Sequence, residues 1–243
     1  MGTSRSFEAL HKKRGLVVGA DSWLCGDGRW EASLQPNVAG AQHTVGEEDS
    51  LRTHVYALLG RLLAQPPSAN TLALARALVG DDSEFGKALS ALAAVARGTT
   101  AQDASDEYHD LFYGVAQGEL QPYASYYMTG FLHERPLAVL RADLAELGVV
   151  RHEDVREPED HIAALCETMA GLINGAFGPA ADLARQRRFF ERHVSVWAPR
   201  FFEDLERAKS ARLYMPVGTI GRVFMDIERV AFSMGDAPAE SAA

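Results

Sequence analysis

The chain has 243 residues, 47% hydrophobic and 23% charged, which excludes a wholly disordered chain and supplies enough apolar material for a core. Lys plus Arg is 24 against 33 Asp plus Glu, a formal charge of −9 that gives no general attraction for nucleic acid or anionic lipid. Two cysteines, Cys25 and Cys166, exclude a disulfide-rich scaffold and a four-thiolate zinc site, and fit a reducing compartment.

Residues 1–46 differ from the rest. They hold 7 of the 21 glycines, Trp23 and Trp30, and a charge of +1 (5 Lys/Arg minus 4 Asp/Glu), which leaves −10 on 47–243. No apolar face repeats here, so the expectation is an irregular leader; an arm that docks a partner through Trp23 and Trp30 is the sharper alternative. Lys12-Lys13-Arg14 precedes only Gly15-Leu16-Val17-Val18-Gly19-Ala20, an apolar run too short for a secretory signal. No stretch has the length of a transmembrane helix, and the expected location is cytoplasmic.

From Asp49 onward the period is helical. Leu51, Val55, Leu58, Leu59, Leu62 and Leu63 line one face, stopped by Pro66-Pro67. Ser68 and Ser83 read as caps of the next two helices, with Gly80 and Gly98 as stops. A fourth helix carries Tyr108, Leu111 and Phe112 and ends at Gly114. The segment 115–135 reads as irregular, punctuated by Gly118, Pro122 and Gly130 and crowded with Tyr113, Tyr123, Tyr126, Tyr127 and Phe131. Pro136 suits a helix start, followed by Leu137, Leu140 and Leu144. After a polar linker at 149–156, Glu157-Pro158-Glu159-Asp160 is expected to open a helix with Ile162, Leu165, Met169, Leu172 and Ile173 buried. Two helices, or one bent near Pro199, follow Gly178-Pro179, and the last helix is expected over about 217–233. The expected architecture is all-α: one globular domain of roughly eight to ten helices over 47–234, with a small-residue tail at 235–243.

The chain lacks a phosphate loop, a dinucleotide fingerprint and a G-x-S-x-G elbow. A di-iron site needs two E-x-x-H pairs plus further carboxylates. The nearest matches, Glu8 to His11 and the Asp106–His109 run, fall short, and Glu157 and His161 are four apart. No metal, cofactor or catalytic residue is therefore expected. Cys166 reads as a small core residue. His161 reads either as a polar contact at a groove rim or as a first-turn histidine paired with a carboxylate, and composition favours the second. Tyr123, Tyr126 and Tyr127 read equally as ordinary core or loop aromatics.

Three elements occur in order: Tyr108-His109-Asp110-Leu111-Phe112, then Gln121-Pro122-Tyr123-Ala124-Ser125-Tyr126-Tyr127, then Glu157-Pro158-Glu159-Asp160-His161-Ile162. Phe189-Phe190, His193, Trp197, Phe202 and Tyr214 follow. Over about 48–233 this series resembles the TorD/DmsD family of cytoplasmic molybdoenzyme chaperones, related to NarJ, and the E-P-x-D-H element is its most specific part. The resemblance implies an all-helical, non-enzymatic protein. Such a protein binds the twin-arginine signal peptide and body of an apo-molybdoenzyme, assists cofactor insertion and delays export. The sequence leaves monomer and domain-swapped dimer both open, with a candidate swap hinge near Gly148–Glu157. The resemblance also implies that Pro122, Tyr123, Ala124, Ser125, Tyr127, Glu157, Pro158, Asp160 and His161 border the signal-peptide groove. The chemistry agrees: paired guanidinium groups joined to an apolar segment require carboxylates beside an apolar or aromatic trough. Glu157, Glu159 and Asp160 can supply the charge, and Tyr123, Tyr126 and Tyr127 the aromatic surface. The alternative from another class is a helical metal- or nucleotide-dependent enzyme. A transcriptional regulator conflicts with the acidic balance.

Overall fold

The computed structural model describes residues 46–114, 118–152 and 155–234, together with the backbone of 30–32. Most of the 1–46 segment and the 235–243 tail lie outside the described residues. Among those described, ten α-helices account for nearly all regular structure: α1 Glu47–Ala64, α2 Ala69–Arg76, α3 Glu84–Gly98, α4 Ala101–Phe112, α5 Ala124–Thr129, α6 Arg135–Glu146, α7 Ile162–Asn174, α8 Leu183–Phe189, α9 Ala198–Arg207 and α10 Tyr214–Met234. None is long and apolar enough to cross a membrane.

The helices begin where local chemistry provides a cap. Ser68 accepts from Thr71 N, Ser83 from Gly86 N and Asp182 from Arg185 N, and Thr100 with Asp103 forms a reciprocal capping box. The start of α10 is capped from a distance instead. Glu107 of α4 accepts from the N–H groups of Arg212, Leu213 and Tyr214 at 2.7–3.0 Å, which lets the helix begin at Tyr214, a turn before the expected 217.

The core lies where α1 packs on α7 and where α9, α10 and α3 pack together. Tyr56, Leu59, Leu62, Ile162, Met169, Phe201, Phe202, Ile220 and Phe224 are buried within it. Gly221 allows α10 to approach α9 closely, because a Cβ there would overlap the ring of Phe202. A buried charge network crosses the same core. Arg52 on α1 donates to both oxygens of Glu228 on α10 at 2.7 and 2.9 Å, Tyr56 donates to Glu228 at 2.9 Å, and Gln186 accepts from Arg52 at 2.8 Å. Isolated charges could not be held there, so the network forces α1, α8 and α10 into one register.

Three expectations are corrected. A six-residue helix, α5, stands inside the segment read as irregular. Helix α7 begins at Ile162 with His161 as its cap, so Glu157–Asp160 precede the helix and do not form its first turn. A two-stranded antiparallel sheet exists: β1, Trp30–Ala32, pairs with β2, Val149–Arg151, in the register Trp30 to Arg151. Strands of three residues are too short to show alternation, and β1 puts one ordered piece into the segment read as irregular. After Gly178-Pro179 the first of the two expected alternatives is found, two helices: a π-helical turn at Phe190–Val194 follows α8, and α9 then starts with Pro199 near its first position.

Candidate functional site

Two extended pieces of chain meet in front of α5 and α7. Ile162 N donates to Pro122 O at 2.9 Å, and Ala124 N to Asp160 O at 3.0 Å. They form an antiparallel bridge between Tyr123 and His161. Pro122 has no N–H to give and serves through its carbonyl. The P-Y-A-S and E-P-E-D-H elements, 35 residues apart in sequence, are thus one local structure.

Asp160 ties it together. Its backbone oxygen holds Ala124, and its Oδ2 accepts from Ser125 N at 2.8 Å. Ser125 N is one of the unpaired donors of the first turn of α5, so Asp160 caps that helix from outside it. This is why six residues with no apolar stripe form a helix here. Asp160 is 1% exposed, and its Oδ1 has no hydrogen-bond partner. The buried Ser125 Oγ is also unpartnered. A buried carboxylate oxygen without a protein partner is costly, and an ordered water or a ligand donor can complete its set.

His161 accepts from Ala163 N through Nδ1 at 3.1 Å, which caps α7, and its ring meets Tyr123 edge-on with centroids 5.1 Å apart. His161 thus stands as the N-cap of α7, one position ahead of the first turn in which it was expected. Glu157 accepts from the phenols of Tyr123 and Tyr113. Burial first, and Glu157 second, push the Tyr123 phenol up, so it remains a protonated donor. Glu159 is engaged by two guanidinium groups, Arg141 at 2.8 Å and Arg151 at 3.5 Å. Burial raises its carboxyl, but the Arg141 hydrogen bond and both positive charges outweigh that and hold it below the ordinary carboxylate value. Pro158 accepts from His161 N through its carbonyl, closing the turn.

A pocket of 330 Å³ opens beside Asp160, between α5 and α6. Ala124, Met128, Pro136, Val139 and Leu140 supply apolar walls, and Asp160, Thr129, Arg135, Arg192 and His193 the polar ones. Met128, Phe131 and Leu132, at 49%, 69% and 41% exposure, stand unusually bare where α5 ends. Asp143 neutralises part of the far wall: it accepts from His193 Nε2 at 2.6 Å and Arg192 at 3.1 Å. Burial holds the His193 imidazole below its ordinary value despite that carboxylate.

Of the residues expected at the site, Ala124 and Asp160 line this pocket, while Pro122, Tyr123, Ser125, Glu157, Pro158 and His161 form the bridge behind it. Tyr127 faces elsewhere: it donates to Asp204 at 3.1 Å and packs against Trp197 and Phe201. The sequence reading did not connect Met128, Arg135, Val139 and Arg192 with the site, and no spacing would have exposed them, because only the packing of α5, α6 and the π turn brings them to it. A second concavity of 710 Å³, lined by Leu183, Arg187, Arg188, Arg192 and Phe232, includes none of the expected residues.

The described residues contain no group of three or more His, Cys, Asp or Glu placed to hold a metal ion. Cys166 is wholly buried, and burial pushes its thiol up, so it is a packed core group.

Comparison with known proteins gives a consistent result. The model of the nitrate reductase delta subunit family matches residues 79–203, just over half of the chain. The chaperone protein TorD of Vibrio atlanticus is 29% identical over 163 residues, covering 62% of this chain and 76% of that one. TorD of Vibrio cholerae is 27% identical over 130 residues, 51% of this chain and 59% of that one. A crystal structure assigned as a redox enzyme maturation protein from Archaeoglobus fulgidus shares the fold, with a TM-score of 0.50 and 20% identity over 79% of this chain and 99% of that one.

Proposed function

Because the chain belongs to the nitrate reductase delta subunit family, with curated relatives named as chaperones, we propose that it is a chaperone for an apo-molybdoenzyme. It binds the twin-arginine signal peptide and the body of that client, and it delays export until the cofactor is in place. It acts by binding, without turnover, in the cytoplasm.

The observation that carries this reading is the unpartnered Oδ1 of Asp160, the one carboxylate residue among the described residues lining a pocket whose other walls are apolar (Met128, Pro136, Val139, Leu140) and polar (Thr129, Arg135, Arg192, His193). A guanidinium is the planar donor that a buried carboxylate oxygen accommodates best. The apolar stretch that follows the arginines in a leader fits the Met128, Val139 and Leu140 surface and its bare rim. Glu157 stands behind as a second carboxylate, oriented by two phenols. The acidic balance of 47–243 draws a basic leader inward over longer range.

Calorimetric titration tests the reading. A synthetic peptide with two consecutive arginines before an apolar segment is expected to bind with 1:1 stoichiometry, and the same peptide with both arginines replaced by glutamine at least about tenfold more weakly. Equal binding of the two peptides would refute recognition by the carboxylates.

A further inference from the structure

Positive charge gathers along α8 and the π turn of this acidic chain. Residues 183–194 hold Arg185, Arg187, Arg188 and Arg192 against a single acidic residue, Glu191, a net charge of +3 (4 Arg minus 1 Glu) in a chain of −9. Arg187, Arg188 and Arg192 line the concavity of 710 Å³, beside the apolar side chains of Leu183, Ala184 and Phe232. Arg188 is exposed and has no ion-pair partner among the described residues. Arg192 is 45% exposed and lies 3.1 Å from Asp143, but the same carboxylate oxygen also accepts from His193 at 2.6 Å. A guanidinium has five N–H donors, so that shared contact leaves Arg192 with donors to spare. Arg187 pairs with Glu191 at 2.7 Å in an i,i+4 surface contact, the kind of pair that an incoming carboxylate exchanges at little cost.

Arg192 also lines the pocket beside Asp160. The two concavities therefore adjoin at this side chain, and the surface changes from a buried carboxylate at one end to guanidinium groups at the other.

The chemistry selects an acidic peptide segment over a phosphate group. Arg188 and Arg192 stand about a turn apart along the helix, and Glu191 among them repels a compact polyanion more than it does separated carboxylates. The N-terminus of α8, where backbone amides would cradle a phosphate, is already occupied by the Asp182 carboxylate, which accepts from Arg185 N at 2.8 Å. Leu183 and Phe232 give a peptide an apolar surface between its charges, and arginine pairs with carboxylates through two parallel bonds.

We propose that the concavity of Arg187, Arg188 and Arg192 docks an acidic segment of the client chain, continuing from the leader seated beside Asp160. The proposal rests on the reading of that pocket as a leader site. The order of charge on the protein, acid then base, complements a client whose basic leader precedes an acidic stretch, and it fixes the direction in which the client lies. The second point of attachment makes a client that carries both elements bind tighter than a leader alone.

The test uses the full chain, its R187Q/R188Q variant and two peptides. Both peptides carry the twin-arginine and apolar segments followed by a flexible Gly-Ser linker, in a short and a long form. One ends in a run of glutamates and the other in a run of glutamines. Arg192 is left unchanged because it also lines the leader pocket. In calorimetric titration wild type is expected to bind the glutamate peptide about tenfold tighter than the glutamine peptide with at least one linker, and the variant to bind the two alike. The glutamine peptide is expected to bind both proteins equally. The net negative charge of the chain disfavours an acidic peptide overall, so a gain that depends on two arginines reports the local surface. Equal affinity of wild type for the two peptides with both linkers overturns the proposal and leaves the leader site standing, as does a glutamate gain that survives in the variant. Inorganic triphosphate that binds wild type and not the variant, with no glutamate gain, overturns it in favour of a phosphate site. Should the glutamine peptide bind neither protein, the leader reading falls, and a glutamate run without a leader decides the surface: saturable binding that the variant loses supports it, and no binding overturns it.

Discussion

Replacing Asp160 by asparagine separates binding from architecture, because the two carboxylate oxygens of this residue have different surroundings. Oδ2 holds Ser125 N at 2.8 Å, and Oδ1 is buried without a hydrogen-bond partner. The asparagine oxygen can keep the bond to Ser125 N, which changes a charge-assisted hydrogen bond into a neutral one and costs about 1 kcal/mol. For a domain of this size that lowers Tm by about 2–4 °C. The asparagine amide then puts N–H donors where Oδ1 was, facing the incoming guanidinium. Loss of the charged bond weakens peptide binding by about 1–3 kcal/mol, or roughly five- to 150-fold in Kd. Asp160→Ala removes both functions. It leaves Ser125 N without its acceptor in a buried place, and it is expected to cost about 2–3 kcal/mol of stability, or about 4–12 °C, besides the binding loss. Calorimetric titration with the twin-arginine peptide, run beside thermal melts of both variants, measures the two effects separately. If Asp160→Asn binds the peptide as wild type does, Oδ1 does not meet the leader, and Asp160 is only the cap of α5.

Glu228→Gln is expected to lower stability by about 3–5 kcal/mol, because it leaves the buried Arg52 guanidinium without its counter-charge on α10; denaturant unfolding measures this, and a loss under about 1 kcal/mol would show that Asp49 and Gln186 suffice for Arg52. The depressed carboxyl of Glu159 makes a pH prediction. Its folded pKa lies below 4.5, so its contribution is fully present above that unfolded value and is lost as pH falls through the folded one. Glu159→Gln should therefore lower stability at neutral pH and shallow the acid limb of a stability–pH curve below 4.5, and unchanged slopes would refute the Arg141 and Arg151 pairing.

Much of the fold was legible locally. The α1 stripe ends where Pro66-Pro67 stops it, and Ser68 and Ser83 cap the helices that the pattern assigns to them. These features depend on residues within one turn of each other, so a single sequence contains all the information. The misreadings share one cause. Glu157–Asp160 has the acidic and proline content of a first helical turn, yet those residues form a bend and a turn closed by His161 N on Pro158 O, because the Pro122–Ala124 segment holds the backbone at Asp160 and Ile162. Helix α5 exists because Asp160 caps it, and α10 starts early because Glu107 does. In each case the deciding donor or acceptor comes from a distant part of the chain.

The site divides in the same way. The ordered aromatic, proline and acidic elements identify the residues concerned, since their type and order are properties of the sequence. Tertiary structure alone decided that Asp160 is buried with one oxygen satisfied and one unpartnered, that Glu159 is already neutralised by arginines, and that Tyr127 faces Trp197. It alone built the apolar walls from Met128, Val139 and Leu140. Residue type sets which bonds a side chain can make, but whether a charge is free, paired or buried depends on which other elements pack against it, and that is fixed only when the helices close on one another.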